Sequence, residues 1–284
     1  MFLQPWMQNR VEQWKAQYLS KGVNTVVFAE GDSWFDYPFL EDRYPILSPS
    51  NYDLLSNVAN EFIVTSTARH GDEISQMVSD DQMDFNIATV EKVKAIKGRF
   101  VAALISGGGN DIVGSNGSNF VQILKAGQHP TPQDYIQFDD KDGILGFTSR
   151  LDAMMDGYRK YLQFVAKYIG AVPVIGHTYD YPYPNGKVYK LGGVIDVCGP
   201  WFKNRFDEKQ TPETDRKAII KVLIDAFAER LQLLEKQYPN FHAVDLRGLI
   251  QDESLWQNEM HATSDGYKRL AQPYMSAIMR YALT

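Results

Sequence analysis

The sequence predicts a three-layer, doubly wound α/β fold: a mostly parallel sheet of about five strands with helices on both faces. Three observations predict it. Short, wholly apolar runs alternate with amphipathic helical patterns, each run ends in glycine or a polar turn, and no repeat, low-complexity tract or linker interrupts the alternation. Strands buried on both faces have no polar side, which is why their sequences do not alternate.

In order, "PWMQNRVEQWKAQYLS" places Trp6, Val11, Trp14 and Tyr18 on one helical face. "TVVFAE" reads as the first strand, "YDLLSNVANEF" as a helix and "FIVTST" as the second strand. "MDFNIATVEKVKAIKG" is helical and "FVAALISGG" is the third strand. The long pattern "RLDAMMDGYRKYLQFVAKYIG" closes at Gly170, a C-terminal stop, before the fourth strand "AVPVIGH". "TPETDRKAIIKVLIDAFAERLQLLEKQY" opens on a Thr-Pro-Glu start signal, "FHAVDL" is a fifth short strand, and "SDGYKRLAQPYMSAIMRYAL" is a terminal helix with Ser264 as its expected cap and a kink expected at Pro273. The arrangement is flavodoxin-like, and the whole of 1–284 reads as one domain with long irregular insertions at about 115–146 and 177–210.

Composition narrows the function classes. A net charge of −6 argues against a general nucleic-acid binder, which needs a basic face. No apolar run reaches bilayer length, so no transmembrane segment is expected. The N-terminal residues carry no basic region followed by an apolar stretch, so no signal peptide is read and a cytoplasmic location is expected. The single cysteine, Cys198, makes a Cys-based metal site improbable and reads as a packed thiol. No metal or other cofactor is expected.

In a doubly wound fold the ligand site lies at the carboxyl ends of the strands. Those ends carry "EGDSW" after the first strand, "ARHGDE" after the second, "SGGGNDIVG" after the third and "GHTYDYPYP" after the fourth, with "NEMH" ahead of the last helix. A serine, a histidine, glycines and an asparagine thus converge on one edge, the constituents of a nucleophile, a base and oxyanion donors.

These blocks, in this order, resemble the GDSL, or SGNH, hydrolase family: "GDSW" (Gly31 to Trp34), Gly71, "GGND" (Gly108 to Asp111) and "NEMH" (Asn258 to His261). The resemblance implies a serine esterase with Ser33 as nucleophile, His261 as general base and then acid, and an oxyanion hole from the backbone N–H groups of Ser33 and Gly71 and the side-chain amide of Asn110. It implies an ester or thioester substrate, small-molecule, lipid or carbohydrate. The chemistry suits the residue types, because glycine lets its N–H approach without a Cβ and an Asn amide donates without losing a proton.

One position departs from the family. Asn258 stands three residues before His261, where the family carries Asp. Either Asn258 orients His261, or Glu259 or another carboxylate takes that role, or the pair works as a dyad, or activity is low or absent. Two other classes compete: a hydrolase-like domain that only binds its ligand, and a metal-dependent phosphoesterase, for which the five histidines make a poor ligand set. Substrate-contacting candidates are Trp34, His177 and Tyr179. More broadly, Trp34, Phe35 and Tyr37 with Tyr179, Tyr181, Tyr183, Tyr189, Trp201, Phe202 and Phe206 form either a wall over the nucleophile or a satellite core under a long loop.

Overall fold

The structure, a computed structural model, describes residues 25–37, 53–191 and 195–282. The expected helix containing Trp6 and Trp14 lies outside the described residues.

Five strands form one parallel sheet: β1 (Thr25–Gly31), β2 (Ile63–Ser66), β3 (Arg99–Ser106), β4 (Val174–His177) and, after the hairpin below, β7 (Phe241–Val244), in the order β2-β1-β3-β4-β7. This is the doubly wound, flavodoxin-like order. Val26, Val27, Phe28 and Ala29 of β1 are fully buried, and each larger side chain contributes roughly 1.5–3 kcal/mol of burial. Glu30 breaks that apolar run. It is fully buried, and its oxygens accept from Thr67 Oγ1, Gln82 Nε2, Asn86 Nδ2 and the Gly31 N–H, while burial pushes its pKa up to about 7.

Helices cover both faces. Tyr161 of the Phe147–Phe164 helix donates to the Leu104 carbonyl of β3, and Tyr274 of the Ser264–Ala282 helix donates to the Ile175 carbonyl of β4. The two bonds mark opposite faces: Phe241 of β7 meets Tyr158 of the first helix, whereas its neighbour His242 stacks on Tyr281 of the second. The Glu213–Gln237 helix packs beside the first of these, burying Ile220, Leu223 and Phe227.

Details of the expected elements shift. The helix expected from Met83 begins at Asp80, capped by Ser79 Oγ. The terminal helix is held by Thr263, whose Oγ1 accepts from the Gly266 N–H, rather than by Ser264, which is already helical. The long helix passes into a wider turn at Val165–Ile169 before Gly170. The 115–146 segment contains a helix at Ser118–Ile123, and the 177–210 segment contains an antiparallel hairpin, β5 (Tyr189–Leu191) with β6 (Ile195–Cys198), and a helix at Lys203–Glu208. Among the described residues no helix is long and apolar enough to cross a membrane.

β1 neighbours β2 on one side and β3 on the other, so the winding reverses between β1 and β3. The turn after β1 and the Gly107–Asn110 turn after β3 flank this crevice, where open α/β sheets bind ligands.

Candidate active site

The turn after β1 is built by Asp32. The Asp32 N–H donates to the Ser106 carbonyl, prolonging the pairing with β3 by one residue. Its buried carboxylate then accepts from Ser106 Oγ at 2.8 Å, the Trp34 N–H at 3.0 Å and the Tyr179 hydroxyl. Burial pushes the Asp32 pKa up to about 6, against the pull of those donors. Asp32 therefore anchors the turn, and Ser33 projects from it.

Ser33 Oγ lies 2.7 Å from His261 Nε2, joining residues 228 apart in the chain. On the far side of the ring, His261 Nδ1 is 3.0 Å from Asn258 Oδ1. An amide has an oxygen face and a nitrogen face, and the backbone shows which one meets the ring. The N–H groups of Met260 and His261 both point at Oδ1, each at 2.9 Å, so the atom there is an acceptor. Nδ1 must then carry the proton, which leaves the Nε2 lone pair for the serine hydroxyl. Burial holds His261 down at about 3, with the charge of His70 as a smaller contribution, so the ring is neutral at ordinary pH.

Glu259 is spent elsewhere. Its buried carboxylate accepts from the N–H groups of Gly186 (2.9 Å), Phe202 (2.7 Å) and Lys203 (3.0 Å), tying the aromatic segment to the histidine block. Among the described residues it makes no hydrogen bond to the imidazole.

Asn110 lies in the short Gly109–Val113 helix, entered through Gly108 at φ 115°. That left-handed conformation favours glycine, and a Cβ there would sit 2.7 Å from the Phe227 ring. Asn110 Nδ2 donates to the Asp72 carbonyl at 3.0 Å, which binds the third block to the loop bearing Gly71. Gly71 is exposed, at φ 85°, with open space where a Cβ would stand. The same loop is tied to the serine turn by Asp36, which accepts from the His70 N–H at 3.0 Å and approaches its Nδ1 at 3.2 Å. Among the described residues the backbone N–H groups of Ser33 and Gly71 make no hydrogen bond within the protein.

The three substrate-contact candidates separate. Trp34 and Tyr179 line a small apolar pocket, with Ile112, Phe202, Leu223 and Met260 among its walls. His177 is fully buried behind Trp34, stacked on the indole at a 5.5 Å centroid distance, with burial holding its pKa down to about 4. It supports Trp34 from below and offers no surface to a ligand, because the strand end that carries it is covered by Phe35 and Tyr274. Cys198 is half-buried, and burial pushes its thiol up to about 11, away from thiolate chemistry. Among the described residues no group of three or more His, Cys, Asp or Glu side chains is placed to hold a metal ion.

Most of the aromatic loop packs inward: Tyr189, Trp201, Phe202 and Phe206 are buried, while Tyr181 and Tyr183 are half-buried. Among the described residues two aromatics reach the imidazole itself. Tyr37 stacks on His261 at 4.1 Å and 7°, and Trp201 meets it edge-on at 5.8 Å. Trp34 Nε1 donates to the Met260 carbonyl at 3.1 Å, fastening the serine turn to the histidine block. Sequence reasoning grouped Tyr37 and Trp201 with the aromatic wall and missed their place beside the histidine. The proximity of Tyr37 to Ser33 in sequence was the available signal.

No family model matches the chain, and no curated protein sequence matches it. Among solved structures it is similar to the lipase Lip_vut3 from a goat rumen metagenome, with a TM-score of 0.53 at 15% identity, covering 89% of this chain and 97% of that one. A putative platelet activating factor from Streptococcus pneumonia aligns with a TM-score of 0.48 at 12% identity, over 96% of this chain and 94% of that one. The fold of this chain is that of the rumen lipase, a three-layer α/β sheet wound about the β1–β3 crevice.

Proposed function

We propose that the chain is a serine ester hydrolase of the GDSL/SGNH type, acting through an acyl-enzyme. The observation that carries this reading is the file of atoms Ser33 Oγ, His261 Nε2, His261 Nδ1 and Asn258 Oδ1, closed at 2.7 and 3.0 Å with the ring in the tautomer a base requires. Fold alone would not name the reaction.

Ser33 Oγ attacks the ester carbonyl as its proton passes to His261 Nε2, forming the Oγ–C bond and an oxyanion. The N–H groups of Ser33 and Gly71 and the Asn110 amide stabilise that oxyanion, one such donor contributing about 3 kcal/mol in the transition state. The tetrahedral intermediate collapses, the C–O bond to the leaving group breaks, and His261 returns the proton to the departing alkoxide. Water then attacks the acyl-Ser33 with His261 again as base, releasing the acid and restoring the hydroxyl. No step requires a metal or organic cofactor.

The test is covalent labelling by a fluorophosphonate probe. Labelling is expected in the parent at Ser33 and absent in Ser33→Ala; a parent that fails to label would falsify the reading.

The apolar pocket beside Trp34 supports an acyl group with an alkyl chain over acetate. Each buried methylene adds up to about 0.8 kcal/mol. Across p-nitrophenyl esters from acetyl to butyryl, kcat/KM is expected to climb by about 10-fold. A series that is flat, or that falls from acetyl onward, removes the pocket from the substrate path.

A further inference from the structure

We infer that Tyr37 is a positioning residue that supports the His261 imidazolium from its ring face, in a site whose orienting group, Asn258, carries no negative charge. The inference rests on the serine-hydrolase reading above and deepens it.

When His261 takes the Ser33 proton, the ring becomes a cation inside a buried site. Asn258 can accept from Nδ1–H but brings no negative charge to offset that cation. Among the described residues the groups facing the ring are Ser33, Asn258, Trp201, Tyr37 and, through its charge, His70. Of these, His70 opposes the cation, and Trp201 stands at a steep 69° to the imidazole and farther off, at 5.8 Å. Tyr37 is the one of these stacked on the ring, parallel within 7° at a centroid distance of 4.1 Å, so its face lies over the imidazole. The negative π face of an aromatic ring attracts a cation, and more strongly where water is excluded. Tyr37 is 1% and His261 4% exposed, so water is excluded here.

The hydroxyl adds a second function. Tyr37 Oη donates to Gln257 Oε1 at 2.9 Å, which leaves its lone pair to accept from Asn258 Nδ2 at 3.3 Å. That bond holds the nitrogen end of the amide away from the imidazole and so agrees with the two backbone N–H groups at its oxygen end. The Tyr37 N–H in turn donates to Asp53 Oδ2 at 3.2 Å, which fixes the residue from a separate helix N-terminus. One side chain thus braces both the ring and the group that orients it.

The experiment varies the charge of the π face while keeping its shape. The parent is first labelled with the fluorophosphonate probe, and then kcat and KM are measured for Tyr37→Phe and for phenylalanines carrying one, two and three ring fluorines at position 37. Tyr37→Phe keeps the ring face and loses the hydroxyl's bond to Asn258, and is expected to lower kcat by about 3-fold, since the N–H groups of Met260 and His261 still hold the amide oxygen. Successive fluorines are expected to lower kcat stepwise, by about 10-fold in total, with KM unchanged. In an Asn258→Asp background the steps are expected to shrink, because the carboxylate then carries the charge. A kcat indifferent to fluorination, or an undiminished slope beside the introduced carboxylate, overturns the inference while leaving the labelled serine intact. A parent that does not label overturns both.

Discussion

Replacing His261 with alanine is expected to lower kcat by about 10⁴- to 10⁶-fold, with KM changing far less. An aliphatic hydroxyl is a poor nucleophile unless its proton leaves as the bond forms, and His261 Nε2, at 2.7 Å, is the acceptor for that proton. Among the described residues no other ring nitrogen meets Ser33 Oγ, so nothing nearby inherits the role. Ser33→Ala is expected to cost as much, and the double variant no more than either single one, since each group is idle without the other. Whatever activity survives comes from the oxyanion donors and from binding. Steady-state kinetics on one ester for the three variants checks this. A His261→Ala loss below about 10-fold, or losses that multiply in the double variant, would separate the two residues and sink the pair as a unit.

The fold was legible because its cause is local. A strand covered on both faces must be apolar throughout, and "TVVFA" and "FVAALI" state that without help from the rest of the chain. The carboxyl ends of those strands follow from the same reading, and with them the placement of Ser33 and Asn110 on either side of the β1–β3 crevice. Periodicity does not say what a polar atom will bond to. Thr263 and Ser264 are equal as cap candidates by type, and only the geometry of the Gly266 N–H selects Thr263. His177 ends a strand on the expected edge, yet Trp34 folds over it, a tertiary contact between residues 143 positions apart. Glu259 and Asn258 are adjacent and both suit a histidine. Their division of labour depends on which backbone N–H groups each meets, and those belong to segments some 56 to 73 residues away in the case of Glu259. The identity of Tyr37 as a neighbour of His261 needed a span of 221 residues to Asn258 to close.

Asn258 is where the second large effect is expected, with opposite signs for two substitutions. Asn258→Ala removes the acceptor at His261 Nδ1 and frees the ring to rotate or change tautomer, and kcat is expected to fall by about 10³-fold. Asn258→Asp keeps an oxygen at the same three donors, Nδ1–H and the N–H groups of Met260 and His261, which favour its ionised form. The added negative charge stabilises the imidazolium and so raises the His261 pKa from about 3. Only the neutral ring can act as base, so activity rises with pH through the His261 pKa and is lost below it. With that pKa held low by burial, the parent keeps its activity in mild acid, but its base is weak. The Asp variant is expected to be about 10-fold faster near pH 8, where its ring is neutral and more basic, and to lose that activity on the acid side several pH units earlier than the parent. Profiles of kcat/KM from pH 4 to 9 for the parent and the Asp variant decide the matter. An Asp variant that keeps its activity down to pH 4 as the parent does would show that position 258 does not sense the charge on His261, and the orienting role would then have to be sought in another group.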